Sequence, residues 1–270
     1  MAKNPHSKPN RYVAIIEAIF KRHYQTGDSE VSFDRSEIVE VARKLRVALP
    51  KNLGDLIYSF RYRATLPDSI TSKAPVGKSW LIRSAGRSKY KFVATVVTSI
   101  IPNASMTETK VPDATPGLIE MYALTDEQAL LAKLRYNRLI DVFMGITCYS
   151  LQSHLRTTTE LAQVETDEIY VGVDRRGAHY VIPVQAKGGN DKLSVVQIEQ
   201  DLAVCSKKFP TMICRPVAAQ FMAPNLIALF AFEEGDQGVG ISVERHYRLV
   251  APEDMSADDL HAYRTRILDD

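Results

Sequence analysis

The sequence predicts an α/β chain, of the α+β type, with a helical N-terminal part and a larger C-terminal part built on a mixed central sheet. Hydrophobic periodicity indicates three short helices and then two β-rich runs within the first hundred residues. A proline-rich stretch follows, and after it helical and strand patterns continue to the end of the chain. A length of 270 residues allows one large domain or two of ordinary size.

The N-terminal elements are delimited by capping and breaking residues. Asp34 begins a helix that has Glu37 three positions later, which is the spacing of a capping box. Pro50 ends that helical pattern. The predicted elements are, in order, a helix over residues 11–24, a strand over 31–33, the helix after Asp34, a helix over 52–63 and hairpin strands over 79–83 and 89–98.

Charge is distributed unevenly along the chain, although the formal net charge is only +2. Residues 1–110 contain 19 Lys and Arg against 9 Asp and Glu, whereas the rest of the chain contains 15 against 23. No acidic residue lies between Asp68 and Glu108. A basic part joined to an acidic part is typical of a polyanion-binding module attached to a region that gathers carboxylates. A solvated basic face is the alternative.

Three helices followed by a basic hairpin resemble a winged-helix domain. In that family the third helix enters the major groove of DNA and the hairpin lies along the phosphates. The resemblance therefore implies binding to double-stranded DNA, with a domain that contacts only protein as the alternative. The implied DNA-binding residues are Lys51, Tyr58, Arg61, Tyr62 and Arg63 in and beside the third helix, and Arg83, Arg87, Lys89 and Lys91 in the hairpin.

The stretch over residues 102–117 contains three prolines and many small polar side chains, which predicts a linker. This places the winged-helix-like domain at residues 1–101 and a second domain at residues 118–270. Near the start of the second domain we expect a helix that Thr125 opens and that continues through residue 143.

Residues 163–187 predict a β-hairpin with polar side chains at its open end. Asp167 lies at the start of the first strand, and Gln185 and Lys187 lie at the end of the second. In an antiparallel pair these ends are adjacent, and residues two positions apart share a face. We therefore expect Asp167, Gln185 and Lys187 to project together, with Glu165 on the same side as Asp167.

Oxygen ligands gathered in this way hold Mg²⁺, which polarises a phosphate and lowers the pKa of an attacking water, and a neighbouring lysine stabilises the developing charge. The hairpin resembles the active-site hairpin of the PD-(D/E)XK nucleases, the superfamily of many type II restriction endonucleases. Asp167 and Lys187 match the aspartate and the lysine of that motif, with 18 residues from Asp167 to Gln185. The resemblance implies a restriction-endonuclease-like α/β core with Mg²⁺ as cofactor and Mn²⁺ as a substitute.

Gln185 departs from the motif, because Asp or Glu is usual at its position. The change removes one negative charge from the expected metal site, although the amide oxygen can still coordinate a cation. Glu165 would restore that charge if it shares the pocket. Relatives often take one more acidic ligand from a helix ahead of the hairpin, and Asp141 is the candidate here, with a solvated acid as the alternative.

Further polar residues flank the predicted centre. His154 and Arg156 precede the hairpin, and they suggest a proton carrier and a phosphate contact, with a structural histidine as the alternative. Gln197, in the first turn of the helix after the hairpin, matches an auxiliary polar position of some relatives, with a solvent-facing glutamine as the alternative.

Together these features predict a Mg²⁺-dependent endonuclease of duplex DNA, with restriction of foreign DNA as the favoured role and repair as the other. A non-catalytic DNA-binding regulator with a nuclease-like fold is the competing interpretation. Because cutting both strands usually requires two active sites, we expect a homodimer. No apolar run approaches the roughly 18 residues of a membrane helix, and no secretory signal is evident. We therefore expect an intracellular, cytoplasmic protein without a membrane partner.

Overall fold

A computed structural model describes residues 11–49, 52–62, 64–96, 99–122, 126–158, 163–188, 192–235 and 238–266. The fold class is mixed α/β, as the sequence predicts. The chain divides into two compact units. The first comprises residues up to Ser99 with two short later segments, Thr158–Gln163 and Ser194–Val196, and the second comprises the rest.

The first unit combines short helices with a small antiparallel sheet. Its elements are α1 (Arg11–His23), β1 (Glu30–Asp34), α2 (Arg35–Leu45), α3 (Gly54–Tyr62), α4 (Asp68–Thr71), β2 (Ser79–Ser84) and β3 (Lys89–Thr95). The strand order is β1-β3-β2. The predicted helices and strands of this part are therefore present, and the short helix α4 occurs where the sequence predicts none.

Aromatic side chains occupy the centre of the first unit. Phe20 of α1 meets Trp80 of β2 and Phe92 of β3 edge-on, with ring centroids 5.3 Å and 5.0 Å away. Contacts of this geometry contribute about 0.5–1.5 kcal/mol beyond the burial of the rings. Trp80 is the only tryptophan of the chain and lies in this core, so its fluorescence reports on the packing of the first unit.

Glu37 ties the start of α2 to α1. Its carboxylate accepts the backbone N–H of Asp34 at 2.9 Å, lies 2.6 Å from Nε2 of His23 and accepts a hydrogen bond from Arg22 at 3.2 Å. Burial opposes ionisation of Glu37, but the bonds from His23 and Asp34 outweigh it, so the pKa of Glu37 is lowered. The predicted spacing of Asp34 and Glu37 therefore forms a helix cap that also joins two helices.

From residue 99 onward the elements are β4 (Ser99–Ile100), β5 (Glu108–Pro112), α5 (Gly117–Tyr122), α6 (Asp126–Tyr136), α7 (Leu139–Met144), β6 (Thr147–Thr158), β7 (Gln163–Val173), β8 (His179–Lys187), β9 (Leu193–Ser194), α8 (Val195–Lys208), β10 (Ile213–Cys214), β11 (Val217–Ala223), β12 (Leu226–Gly235), β13 (Gly238–Val250), a 3-10 turn (Pro252–Asp254) and α9 (Ala257–Thr265). Within the described ranges, no helix is long and apolar enough to cross a membrane.

The second unit is built on a mixed sheet with the order β5-β13-β12-β11-β8-β7-β6, and β10 pairs beside β8. Strand β8 pairs antiparallel with β7 and parallel with β11, and α8 provides the connection between the two parallel strands. Ile169 of β7 and Val181 of β8 pack with Cys205 of α8, whereas Tyr170 and Ile182 belong to the core that includes α6 and α7. The longer elements therefore follow one another as β7, β8, α8 and β11.

The predicted linker is wrong in part. Residues 108–112 form β5, which pairs parallel with β13 at one edge of the large sheet. The guanidinium of Arg248 on β13 donates hydrogen bonds from two nitrogens to the two carboxylate oxygens of Glu108 on β5, and the bond from Nη2 to Oε1 is 2.7 Å long. The prolines at positions 102, 112 and 116 therefore flank or end a strand, a placement that an edge strand tolerates.

The single helix predicted through residue 143 is also wrong, because α6 and α7 are separate. The break lies at Asn137 and Arg138, where Arg138 adopts a left-handed backbone with φ of 49°. The side chain of Asn137 accepts the N–H of Ala114 at 2.6 Å and donates to Thr115 at 2.9 Å. These contacts hold the side chain of Asn137 against the preceding segment at the point where α6 ends.

Helix α9 lies along the outer edge of β5. The backbone N–H of Lys110 donates to the hydroxyl of Tyr263 at 2.8 Å, and the Lys110 ammonium pairs with Asp259 at 2.9 Å. An edge strand presents unpaired backbone groups that other chains can join. A side chain of α9 takes one of those groups.

We expect Glu37→Gln to destabilise the first unit by about 1–2 kcal/mol at pH 7, because the variant loses a charged partner of His23 and Arg22. Because the pKa of Glu37 is lowered in the folded protein, its charge stabilises the fold above the ordinary pKa of 4.5, and this stabilisation is lost as the pH falls through the folded pKa. The difference between the proteins should therefore shrink below about pH 4.5. Urea unfolding followed by Trp80 fluorescence measures both effects.

Glu40→Gln is the matched control, because Glu40 also accepts hydrogen bonds from Arg22 but its side chain is 48% exposed. Its effect on the urea midpoint should be smaller than that of Glu37→Gln. Equal effects of the two variants would contradict the role given to Glu37.

Candidate functional site

Regular pairing between β7 and β8 ends at the open end of the hairpin. The register runs from Val173 opposite His179 to Glu168 opposite Val184. Beyond it, the carboxylate of Asp167 accepts the backbone N–H of Ala186 at 2.8 Å. In a regular ladder this N–H would donate to a backbone carbonyl. Here the Asp167 carboxylate is the acceptor, and this bond fixes the carboxylate beside β8.

Asp167 and Lys187 come together as predicted, and a third charged residue joins them. Nζ of Lys187 lies 4.0 Å from Oδ2 of Asp167 and donates to Oε1 of Glu127 at 2.9 Å. The side chains of Asp167 and Lys187 are 14% and 11% exposed. The two carboxylates and the ammonium form one compact cluster, which we call the acid–lysine cluster, and in it Asp167 and Lys187 are largely buried whereas the Glu127 side chain is 40% exposed.

The pKa of Asp167 is raised above its ordinary value. Burial is the largest cause, and the charge of Glu127 acts in the same direction. Lys187, the N–H of Ala186 and His154 oppose the shift without cancelling it. The surroundings of Asp167 therefore oppose its negative charge, and the Lys187 ammonium is the main group that offsets this cost.

Gln185 follows the β7–β8 ladder on the same strand as Lys187, and its side chain is held by residues of β7 and α8. Its side chain is buried, with 1% exposure, and its Nε2 donates to Oδ2 of Asp201 at 2.9 Å and to the carbonyl of Glu165 at 3.2 Å. Its Oε1 accepts Nε2 of Gln197 at 3.0 Å. Gln197 therefore contacts the site directly, in place of the solvent-facing alternative.

Asp201 on α8 is a residue that the sequence analysis missed. It is fully buried and accepts the hydroxyl of Thr166 at 2.6 Å. Burial raises its pKa to about 7, although the bonds from Thr166 and Gln185 lower it. Asp201 follows Gln197 by four positions, which places both on one helix face. An acid on the buried face of a helix next to the hairpin was the available signal.

Glu127 is the other missed residue, and it replaces Asp141 as the acid supplied by a helix ahead of the hairpin. Asp141 accepts the N–H of Cys148 at 2.9 Å and pairs with Arg138. Cys148 lies against Gly172, five residues along β7 from Asp167, which is about 16 Å at the rise of a strand. The prediction of Asp141 as a metal ligand beside Asp167 is therefore wrong.

Glu127 had a readable signal, since it lies in the first turn of α6, where the helix dipole stabilises a carboxylate. Its spatial relation to the hairpin depends on how α6 packs on the sheet, which periodicity along the chain does not encode.

His154, Glu165 and Arg156 form a flank of the same region. Nε2 of His154 lies 2.9 Å from the amide nitrogen of Gln128, and Nδ1 lies 4.0 Å from Glu165. Arg156 donates to the Glu165 carboxylate at 3.0 Å. Glu165 is thus engaged by Arg156, whereas the predicted position was beside Asp167. The φ of His154 is 48°, a conformation that turns its side chain out of the regular strand pattern.

The donor atoms of the acid–lysine cluster fit a hard divalent cation. The cluster offers two carboxylates, Asp167 and Glu127, and Mg²⁺ is bound in proteins by one or two carboxylates with water completing its octahedron. Among the described residues, no group of three or more His, Cys, Asp or Glu is arranged to hold a metal. An ion here would therefore depend on Asp167, Glu127, a neutral oxygen and water.

The predicted DNA-binding residues of the first unit differ in their surroundings. Arg87 and Lys89 are exposed at the hairpin turn. Arg61 donates to the carbonyl of Ile82 at 2.9 Å and holds α3 against β2, and Lys91 pairs with Glu30 at 2.8 Å. These last two side chains therefore have structural partners within the unit.

The other predicted DNA-binding residues of the first unit differ in exposure, and some lie outside the described ranges. Tyr58 is about half exposed and Arg83 is partly buried. Lys51 and Arg63, together with the side chain of Tyr62, lie outside the part of the chain that the structure describes.

We expect Glu127→Gln to weaken Mn²⁺ binding by roughly tenfold or more, because the variant removes one of two charged ligands. Asp141→Asn is the matched acid-to-amide control and should leave the affinity within about twofold, since Asp141 lies apart from the cluster. Isothermal titration calorimetry of the two variants measures the difference. An equal loss of affinity in both would overturn the assignment of Glu127.

Comparison of the chain with protein-family models, with curated proteins and with solved structures gives no match. What the acid–lysine cluster can do is therefore inferred from the groups that it contains. Those groups are two carboxylates and an ammonium, with a buried amide behind them at the open end of one hairpin.

Proposed function

We propose that this protein is a Mg²⁺-dependent endonuclease that hydrolyses phosphodiester bonds of duplex DNA at the acid–lysine cluster. The observation that carries the proposal is the position of the Lys187 ammonium, 2.9 Å from Glu127 and 4.0 Å from Asp167. Carboxylates provide the ligands of a hard cation, and an ammonium beside them provides a partner for phosphate. Both groups are needed where an anionic ester is cleaved.

Each side chain of the cluster has a defined task in this proposal. Asp167, Glu127 and the Oε1 atom of Gln185 would hold the cation. When bound, Mg²⁺ would polarise the scissile phosphate and lower the pKa of an attacking water. Lys187 donates to a phosphate oxygen and stabilises the charge that develops there. The partial burial of Asp167 and Lys187 strengthens these interactions, because little water screens them.

Binding of duplex DNA is assigned to the first unit. The exposed Arg87 and Lys89 at the turn between β2 and β3 supply positive charge without a carboxylate nearby in the sequence. Contacts of this kind to the sugar–phosphate backbone position a protein on DNA without reading its sequence. The order of helices and strands in this unit supports the resemblance to winged-helix domains.

Restriction of foreign DNA is the biological role that the resemblance of the hairpin favours, and DNA repair is the alternative. Two active sites are needed to cut both strands at once, so we propose a homodimer as the active form. A non-catalytic regulator that binds DNA through the first unit is the competing function, and the cleavage experiment below distinguishes it.

Lys187→Met and Asp167→Asn should each reduce Mg²⁺-dependent cleavage of plasmid DNA by roughly 100-fold or more, because each removes a charge from the reacting centre. Binding of the same DNA should persist in both variants. Lys207→Met, an exposed lysine at the end of α8, is the control and should cut like the unaltered protein. Gel analysis of cleavage and a band-shift assay give the two measurements.

Unaltered protein that binds duplex DNA but does not cleave it with Mg²⁺ or Mn²⁺ would favour the regulator. Cleavage that survives Lys187→Met and Asp167→Asn would place the active site elsewhere in the chain.

Arg87→Ala and Lys89→Ala should each weaken duplex binding and reduce the slope of log affinity against log salt by about one. Lys91→Ala is the matched control, because Lys91 is already paired with Glu30 and should change the slope less. Fluorescence anisotropy between roughly 50 and 200 mM salt measures the slopes. Unchanged slopes for Arg87→Ala and Lys89→Ala would remove the hairpin turn from the proposed DNA contact.

A further inference from the structure

A polar network lies behind the acid–lysine cluster, between the end of β8 and α8. Gln185 is at its centre and donates to Asp201 at 2.9 Å while it accepts from Gln197 at 3.0 Å. Thr166 donates to the other oxygen of Asp201 at 2.6 Å. Thr166, Gln185 and Asp201 are each at most 1% exposed. Polar groups buried this deeply must satisfy one another, so the network has few alternative arrangements.

The network determines which end of the Gln185 amide faces which way. Asp201 accepts the Thr166 hydroxyl at Oδ1 and the Gln185 amide at Oδ2, so the NH₂ group of Gln185 faces Asp201. The amide of Gln197 donates to the opposite end. Oε1 of Gln185 therefore accepts one hydrogen bond, from Gln197, and an amide oxygen has a second lone pair that a hard cation can take.

We propose that Asp201 is the positioning residue of the site: from α8 it supplies the negative charge that the nuclease motif carries at position 185, and it orients the Gln185 oxygen for the cation. The inference rests on the proposed function. It explains the departure of Gln185 from the acidic residue of that motif, because the acid is present in space although it is displaced by 16 positions in the sequence.

The same geometry explains why position 185 is an amide. A glutamate there would place a second carboxylate against Asp201, where both side chains are almost fully buried. Two buried like charges in contact are strongly unfavourable unless one is neutralised. The pair at positions 185 and 201 therefore holds one amide and one acid, and exchanging the two should preserve the contact.

An exchange of charge between the two positions tests this directly. The proteins compared are the unaltered chain, Gln185→Glu, Asp201→Asn and the double variant with both substitutions. Each is measured for its unfolding temperature, its Mn²⁺ affinity by calorimetry and its rate of DNA cleavage with Mg²⁺. Gln152→Glu, on the exposed face of β6, controls for the effect on stability of a new glutamate. Thr166→Val controls for loss of a bond to Asp201 that leaves Gln185 in place.

We expect Gln185→Glu to lower the unfolding temperature by roughly 5 °C or more, and Asp201→Asn to weaken Mn²⁺ binding by about tenfold. The double variant should recover at least about half of the lost unfolding temperature and bind Mn²⁺ within about threefold of the unaltered protein, because the amide–acid contact is restored in reverse. Gln152→Glu should change the unfolding temperature by about a degree or less. Thr166→Val should weaken Mn²⁺ binding less than Asp201→Asn does.

Losses in the double variant that equal the sum of the two single losses would overturn the inference, and so would a Mn²⁺ affinity that Asp201→Asn leaves unchanged while cleavage continues. The proposed function fails in a different way. Unaltered protein that neither binds Mn²⁺ nor cleaves DNA would refute the endonuclease, whereas recovery of the unfolding temperature in the double variant would still support the contact between Gln185 and Asp201.

Discussion

The end of the β7–β8 ladder is the constraint on which the candidate site depends. Up to Glu168 the two strands exchange backbone hydrogen bonds in regular register. Past that point the Asp167 carboxylate accepts a hydrogen bond from the N–H of Ala186, and the Gln185 amide donates one to the carbonyl of Glu165. Side chains thus satisfy the backbone groups that separating strands leave, and this fixes Asp167 and Gln185 at the same edge. A flexible loop carrying the same residues could not hold them desolvated.

Burial from solvent destabilises the charged form of two acids at the site. Burial raises the pKa of Asp167 and of Asp201, so the fold keeps two acids in surroundings that oppose their charge. For Asp167 the opposition is met by the Lys187 ammonium, and for Asp201 by donors from Thr166 and Gln185. Buried charges that persist in this way are held by specific partners, and removal of one partner leaves the other uncompensated. The two acids are therefore parts of one electrostatic arrangement.

The sequence revealed those features that periodicity and local chemistry encode. Alternation in β7 and a turn after Val173 predicted the hairpin, and strand geometry alone placed Asp167 near Lys187. It could not reveal Glu127 or Asp201, because each reaches the site only through the packing of a helix on the sheet. Asp141 was a wrong choice for a related reason: Arg138 breaks the predicted helix, and no local propensity marks that left-handed residue in advance. Strand β5 was taken for a linker because its prolines conceal a strand that forms through pairing with β13.

Helix α9 affects how readily chains can associate through the edges of the large sheet in concentrated solution. The hydroxyl of Tyr263 occupies the Lys110 amide on the outer side of β5, and Asp259 and Arg266 make further contacts along that strand. The large sheet thus has one margin that is sheltered by a helix from the growth of intermolecular strands. Strand β6, at the other margin, carries mostly exposed side chains. Self-association through strand addition would therefore occur at β6. An association that uses only this edge forms dimers more readily than open fibres.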